Sequence, residues 1–330
     1  MSNLGLLSKY RTELMGVATL LIILCHMPAH GVVMPSPLST VLSHGGAGCD
    51  IFLFLSGLGM YRSLSRLKTS GGGILSWYKR RFARVLVPYL MICIPCFVYY
   101  AIVDNWPLTT LLLRLGTLSY WTEGWGLWYV ALTLILYLLT PVIDKINSLS
   151  QGHYWMWLLV LLSWSFGFFP EQSGVMEHVQ FVLCRVPCFL LGYMYAKSIL
   201  AEENFNIKTI LIVLASIYVL GFCGAKLLKI HISLFWIEGM LLTLLSTCFL
   251  HQCSRFGVWR IFRFLGDISL ESYCTNVFVL LLFRNIPWHI GGINFNPGNW
   301  TYYIMGTLCC LLISVLVHKE TQKLLKALKI

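Results

Sequence analysis

Apolar residues in this chain gather into long runs at 14–30, 46–61, 85–103, 127–143, 154–169, 179–196, 209–224, 234–250, 268–283 and 302–317. Each approaches the roughly 20 residues that a helix needs to cross about 30 Å of hydrocarbon. None alternates strictly between apolar and polar positions, which argues against a membrane β-barrel. Backbone groups inside lipid must then be satisfied within each segment, and a helix does that. The pattern predicts an all-α fold, a single polytopic transmembrane helical bundle of about ten spanning helices joined mostly by short loops. The longest intervening stretches are 31–45, 104–126 and 285–300.

Hydrophobic residues fill 58% of the 330 positions and charged residues 11%, against about 25% charged in an ordinary soluble domain. So few charges cannot cover a water-facing surface. Their placement orients the bundle, because cytoplasmic loops collect Lys and Arg. Taking alternate segments together, 19 basic residues share one side, including Lys9, Arg11, the cluster Lys79, Arg80, Arg81 and Arg84, Arg255, and the late lysines Lys319, Lys323, Lys326 and Lys329. The other side holds 4, Arg114, Lys226, Lys229 and Arg284, while Arg185 lies within a run. Both termini are therefore expected in the cytoplasm, and the three long connecting stretches outside.

The formal net charge of +11 does not point to nucleic acid, since the basic residues sit at membrane edges rather than in a stripe with interleaved aromatics. Residues 319–330 space lysines three and four apart with Leu324, Leu325 and Leu328 between them. They are expected to form a short basic cytoplasmic tail, distinct from the membrane domain 1–318 and lying against lipid headgroups. Pro28 and His30 at the end of the first run and Pro35 after it stand where a removable signal would carry a small-residue cleavage site, so the first helix is expected to be retained. Of the 12 cysteines all but Cys253 fall in apolar runs and read as small buried side chains. Cys93 and Cys96 form a CxxC with no second pair, so neither a metal nor a redox role is expected.

Ionisable residues within spanning helices are costly and are functional candidates by default. His26 follows an apolar stretch and lies roughly 20 Å along the first helix from Glu13. Its imidazole can accept a proton there, or simply tie two helices together. Asp50 opens the second run within a small-residue stretch and is expected near the depth of His26. A carboxylate holding the second ring nitrogen would make His26 a general base, whereas the alternative for Asp50 is a helix cap. Arg80, Arg81 and Arg84 share a helical face and could clamp phosphates, or serve only as a cytoplasmic anchor. Trp125, Trp128 and Tyr129 look like an interfacial aromatic belt. Arg185, Glu238 and Glu271 must find partners inside the bundle.

Taken together, these segments resemble the acyltransferase-3 family of bacterial membrane proteins. The resemblance covers nearly the whole chain. It runs through Arg11, Glu13, Leu14, Met15 and Gly16 to His26; Gly48, Cys49, Asp50, Ile51 and Phe52 to Ser56 and Gly57; Arg80, Arg81, Arg84, Pro88 and Tyr89; Trp128 to Pro141; Arg185 with Pro187 to Gly192; and Gly266, Ser269, Glu271 and Tyr273. The chain departs from the family pattern at Met15, where an arginine is common and Arg11 stands one turn earlier. It departs also at Leu132, Thr133 and Leu134, where a glutamate is common, and at Asn276, where a histidine is common.

The resemblance implies a multi-pass enzyme of the bacterial cytoplasmic membrane. Such an enzyme moves an acyl group, acetyl being the expected one, from a cytoplasmic acyl-CoA to a hydroxyl of a carbohydrate or other cell-envelope acceptor. It implies His26 as catalytic base, with Asp50 beside it, and Arg80, Arg81 and Arg84 on the phosphates of coenzyme A. Arg11, Trp128, Arg185, Glu271 and Tyr273 are expected to bind substrate or to hold the site. A transporter or flippase for a glycolipid or small metabolite is the alternative reading, since it too would need intramembrane charges, although no inverted repeat is evident. A non-catalytic membrane scaffold, in which His26 and Asp50 merely pair helices, is a further one.

Overall fold

A computed structural model describes residues 4–330 apart from 150–152, 171, 255–256, 258, 285–287, 291–292, 296–299 and 329. Arg255 and Lys329 among the orienting charges, and most of the stretch 285–300, thus lie outside the described residues. The chain forms α1 (Gly5–Lys9), α2 (Arg11–Ala29), α3 (Ser36–Ser43), a 3-10 turn (His44–Ala47), α4 (Gly48–Ser70), α5 (Ile74–Val103), α6 (Leu108–Leu115), α7 (Leu118–Glu123), α8 (Trp128–Ser148) and α9 (Tyr154–Ser165). It continues through α10 (Val175–Leu183), α11 (Val186–Met194), α12 (Ala196–Leu200), α13 (Ile207–Leu228), α14 (Phe235–Cys253), α15 (Trp259–Asp267) and α16 (Ser269–Arg284). A short antiparallel pair, β1 (Trp288–Ile290) and β2 (Ile293–Phe295), precedes α17 (Trp300–Ala327).

Every one of the long apolar runs folds as helix, but not every run makes a long apolar one. Among the described residues 7 helices are long and apolar enough to cross a membrane, or up to 8 when α15 and α16, bent by 70° at their junction, count as one broken span. The run at 154–169 yields a helix of 12 residues followed by a 3-10 turn. The run at 234–250 yields α14, which carries Glu238 near its start and His251 and Gln252 in its last turn. Residues 179–196 are split at Arg185 into α10 and α11. The long connecting stretches also fold: 31–45 contains α3, and 104–126 contains α6 and α7.

Burial identifies the centre of the bundle. From Gly48 to Leu58 every residue of α4 is buried, whereas α13 buries only Ile207 along its whole length. A helix apolar all round and unburied by protein is a helix whose remaining partner is lipid. The central helix lies hard against α11. A Cβ on Gly57 would sit 2.1 Å from the Phe189 carbonyl oxygen, and one on Gly192 would sit 2.0 Å from that of Phe54. Glycine at both positions lets the two backbones touch, and this contact brings Asp50 and Arg185 together at one end of the pair.

The last helix runs on past the expected domain boundary. Residues 319–327 continue α17 without a break, with Thr321 and Leu325 buried and Lys319, Lys323 and Lys326 exposed.

Candidate functional site: an arginine cavity, a polar throat and a histidine

The site is built from faces of α2, α4, α5, α8 and α16. On α2, Arg11, Met15, Thr19, Ile22, Ile23 and His26 recur every three or four residues, so one stripe runs the length of the helix. From Arg11 to His26 it spans about 22 Å at 1.5 Å per residue. Phe52, Ser56, Gly59, Ser63 and Arg66 make the matching stripe on α4. Tyr129, Thr133 and Tyr137 make it on α8, and Ser269, Tyr273 and Asn276 on α16. Between these stripes lies a connected series of cavities.

The first, of about 540 Å³, is lined by Arg11, Arg62, Arg66, Arg80, Arg81 and Arg84, together with Ser63, Trp77 and Tyr137. Among the described residues none of these 6 arginines is ion-paired. The nearby carboxylate of Asp144 is taken up by Lys68 and by the Tyr193 hydroxyl, which donates to it at 2.8 Å. Trp77 anchors the wall through its indole N–H, donated to the Ser63 hydroxyl at 2.6 Å. Arg11 reaches the cavity over Gly59. A Cβ there would come 3.0 Å from its Nη2, and the guanidinium donates to the Leu55 carbonyl at 3.5 Å.

Arg11, Arg84 and Tyr137 also line the next cavity, a throat of about 170 Å³ whose walls include Met15, Phe52, Ser56, Tyr129, Thr133 and Tyr273. The Ser56 and Tyr129 hydroxyls are 3.3 Å apart. Phe52 and Tyr273 then border a crevice with Thr19, Ile22, Ile23, Ser272 and Asn276. Asn276 closes the series on the histidine, since its Oδ1 lies 2.5 Å from Nδ1 of His26. An amide oxygen only accepts, so the neutral imidazole carries its proton on Nδ1 and leaves Nε2 as the basic nitrogen. The His26 ring lies 6.5 Å from that of His30, which in turn lies 5.8 Å from Tyr303.

A side branch opens from the throat. It is a second cavity of about 550 Å³, sharing Arg11, Arg84, Ser269 and Leu270 with the throat and lined otherwise by groups such as Glu271, His318, Gln322 and Lys326. Glu271 pairs there with Nδ1 of His318 at 2.9 Å.

Several sequence expectations fall on this path: His26, Arg80, Arg81, Arg84, Arg11 and Tyr273 are joined by one route, and Glu271 stands in its side branch. The hydrogen bond expected between Asp50 and His26 is not formed. Asp50 is fully buried and ion-paired with Arg185, whose guanidinium is enclosed by Trp128, Phe181 and Phe235 at 5.0, 4.7 and 4.1 Å from the ring centroids. A buried carboxylate needs a formal counter-charge, which a neutral imidazole does not supply and a buried guanidinium does. Trp128 is thus part of the Arg185 enclosure rather than a belt residue, and Glu238 pairs with His44 at 2.6 Å.

Arg62 and Arg66 belong to the 19 basic residues that share one side, and Asn276 is a departure from the family pattern; neither reading by itself points to the site. Their signal was positional. Arg62 and Arg66 are four apart, and serines and threonines recur at helical spacing on apolar helices, which marks polar stripes facing inward. Among the described residues no group of three or more His, Cys, Asp and Glu side chains could hold a metal ion.

No curated protein and no solved structure gives a significant match to the chain. The sequence pattern of a family described as an acyltransferase domain matches residues 14–319, almost the full length and every element of the route from Met15 through the arginine cavity to His26 and Asn276. With that match and with its apolar helices, the chain belongs to the acyltransferase-3 family of membrane acyltransferases.

Proposed function

We propose that the protein transfers an acyl group from a cytoplasmic acyl-CoA to a hydroxyl of a carbohydrate or other cell-envelope acceptor, across the cytoplasmic membrane of a bacterium. The observation that supports this most is the cavity of 6 arginines without a carboxylate partner. Like charges gathered at one site repel one another and call for a polyanion, and guanidinium groups match phosphate oxygens bidentately. Coenzyme A presents a diphosphate and a further phosphate at one end and the reactive thioester at the end of a long arm. That polarity corresponds to an arginine cavity, a throat and a histidine in series.

On this reading the phosphates rest on Arg62, Arg66, Arg80, Arg81 and Arg84, with Arg11 at the neck. The arm lies in the throat among Ser56, Tyr129, Thr133 and Tyr273. The thioester carbonyl reaches the neighbourhood of Nε2 of His26, whose tautomer Asn276 holds. The acceptor hydroxyl gives its proton to Nε2 as its oxygen attacks the carbonyl carbon. The tetrahedral intermediate expels the thiolate, which takes that proton back, leaving an ester and free coenzyme A. General-base assistance of this kind is worth about a hundredfold to ten-thousandfold. Asp50 and Arg185 stand outside the chemistry and hold α4 to α11. The arginine end is the cytoplasmic face, as the basic residues indicate.

The test is release of free coenzyme A from radiolabelled acetyl-CoA in membranes carrying the parental protein or His26→Ala, with envelope glycans present. The expected result is loss of transfer by at least about a hundredfold with normal membrane insertion. Equal rates in the two membranes would sink the mechanism.

A further inference from the structure

The throat does not open freely onto the histidine. The crevice between them, walled by Phe52, Tyr273, Ile22, Ile23, Thr19 and Asn276, has no room for even one water molecule, whereas the throat before it holds about 170 Å³. Its walls are not loose. Phe52, Ile22 and Tyr273 are 4%, 3% and 5% exposed. The aromatic members are braced in series, with Phe52 against Tyr129 and Tyr129 against Tyr273, each pair at 5.7 Å between ring centroids. Interiors packed to this degree yield to a small group by slight side-chain shifts but resist each added methylene.

Building on the acyl-CoA reading above, we propose that Phe52 and Tyr273, backed by Ile22, are the chain-length gauge of the donor site and restrict transfer to the shortest acyl groups. The phosphates are held at the far end by the arginine cluster, which limits how far the arm can slide back to make room for a longer chain. The acyl group must enter the crevice beside Asn276 to meet His26. An acetyl methyl is the smallest group that can do so. Ile22, Ile23 and Phe52 give the crevice apolar lining for an acyl methyl, and the Thr19 hydroxyl beside them is turned to its own helix, donating to the Met15 carbonyl at 2.9 Å.

The test is a series of acetyl-, propionyl-, butyryl- and octanoyl-CoA, scored as kcat/KM for release of coenzyme A by the parental protein, Phe52→Ala and Ile22→Ala. In a hydrophobic pocket one methylene changes kcat/KM by about tenfold or more. The parental protein should therefore prefer acetyl over butyryl by roughly a hundredfold. Phe52→Ala should raise the butyryl-to-acetyl ratio by at least about tenfold, and Ile22→Ala by less, because it removes less of the wall. Phe52→Leu, which keeps most of the bulk, should stay near the parental ratio. The parental series needs no variant to fold. Equal kcat/KM for acetyl and octanoyl donors overturns the proposal, as does a Phe52→Ala protein that loses activity on all donors in equal proportion. Failure of the acyl-CoA reading itself looks different: no donor of any length then yields free coenzyme A, and both ideas fall together.

Discussion

Two regions of this molecule concentrate buried or half-buried charge, and they are built on opposite terms. At the Asp50 site one carboxylate meets one guanidinium, three aromatic rings close over the cation, and Gly239 presses on Asp50 so tightly that a Cβ there would lie 2.3 Å from its own Cβ. At the arginine cavity 6 guanidinium groups surround a space of about 540 Å³ with no carboxylate among its lining residues. The first arrangement is closed: each charge faces its counter-charge and the space around them is filled. The second has an excess of one sign and room beside it. In a membrane bundle both look alike along the chain, as polar residues in or next to apolar runs. Pairing and free volume separate the charge that holds helices together from the charge that waits for a ligand.

That contrast can be broken at several points. The largest effect on stability is expected at the closed pair. Asp50→Ala leaves Arg185 buried without its partner and should cost roughly 3–5 kcal/mol, seen as a lowered unfolding temperature in detergent. The double replacement Asp50→Leu with Arg185→Met should recover most of it, because two apolar groups leave no orphaned charge. An Asp50→Ala protein as stable as the parent would show that the pair is not structural.

At the open cavity the expectation is reversed. Removing Arg80 or Arg81 should leave folding intact and raise KM for the acyl-CoA by about tenfold to a hundredfold, the range for a hydrogen bond to a charged group, with kcat little changed. The affinity should fall further as salt is added, since half-exposed charges are screened over a Debye length of about 8 Å at physiological ionic strength. A kcat effect with constant KM would remove these arginines from phosphate binding.

A smaller change is expected at Asn276→Leu, which keeps the shape but not the acceptor for Nδ1 of His26. One hydrogen bond nets about 1 kcal/mol, so kcat should fall by roughly fivefold to tenfold. Asn276→His, the residue common in the family at this place, should restore part of the loss. The smallest effect is Gly59→Ala, whose methyl would meet Nη2 of Arg11 at 3.0 Å. That atom ends a flexible side chain, so a KM rise of only about twofold to threefold is expected, measured on the same coenzyme A release assay.

Much of this protein was legible from its residues. Long apolar runs fix helices because lipid leaves the backbone no other partner, and every run did become helix. The family could be read from local patterns that need no knowledge of neighbours in space. The length and apolarity of each span depended on more. Residues 154–169 and 234–250 look like the other runs, yet one folds as a short helix and the other is diluted by Glu238, His251 and Gln252.

Partnership was decided elsewhere. Asp50 and His26 both lie toward one end of their helices, and depth alone made them a natural pair. The glycine contact between α4 and α11 instead delivered Arg185 to Asp50, and the packing of α16 on α2 delivered Asn276 to His26. Arg62 and Arg66 joined the other arginines for the same reason, since which face of α4 turns toward α5 depends on contacts among residues far apart along the chain. Periodicity within a segment is a local property and determines which residues share a face. Which faces meet depends on close packing between helices, and so the throat, the crevice and the charge left unpaired beside them exist only in the folded bundle.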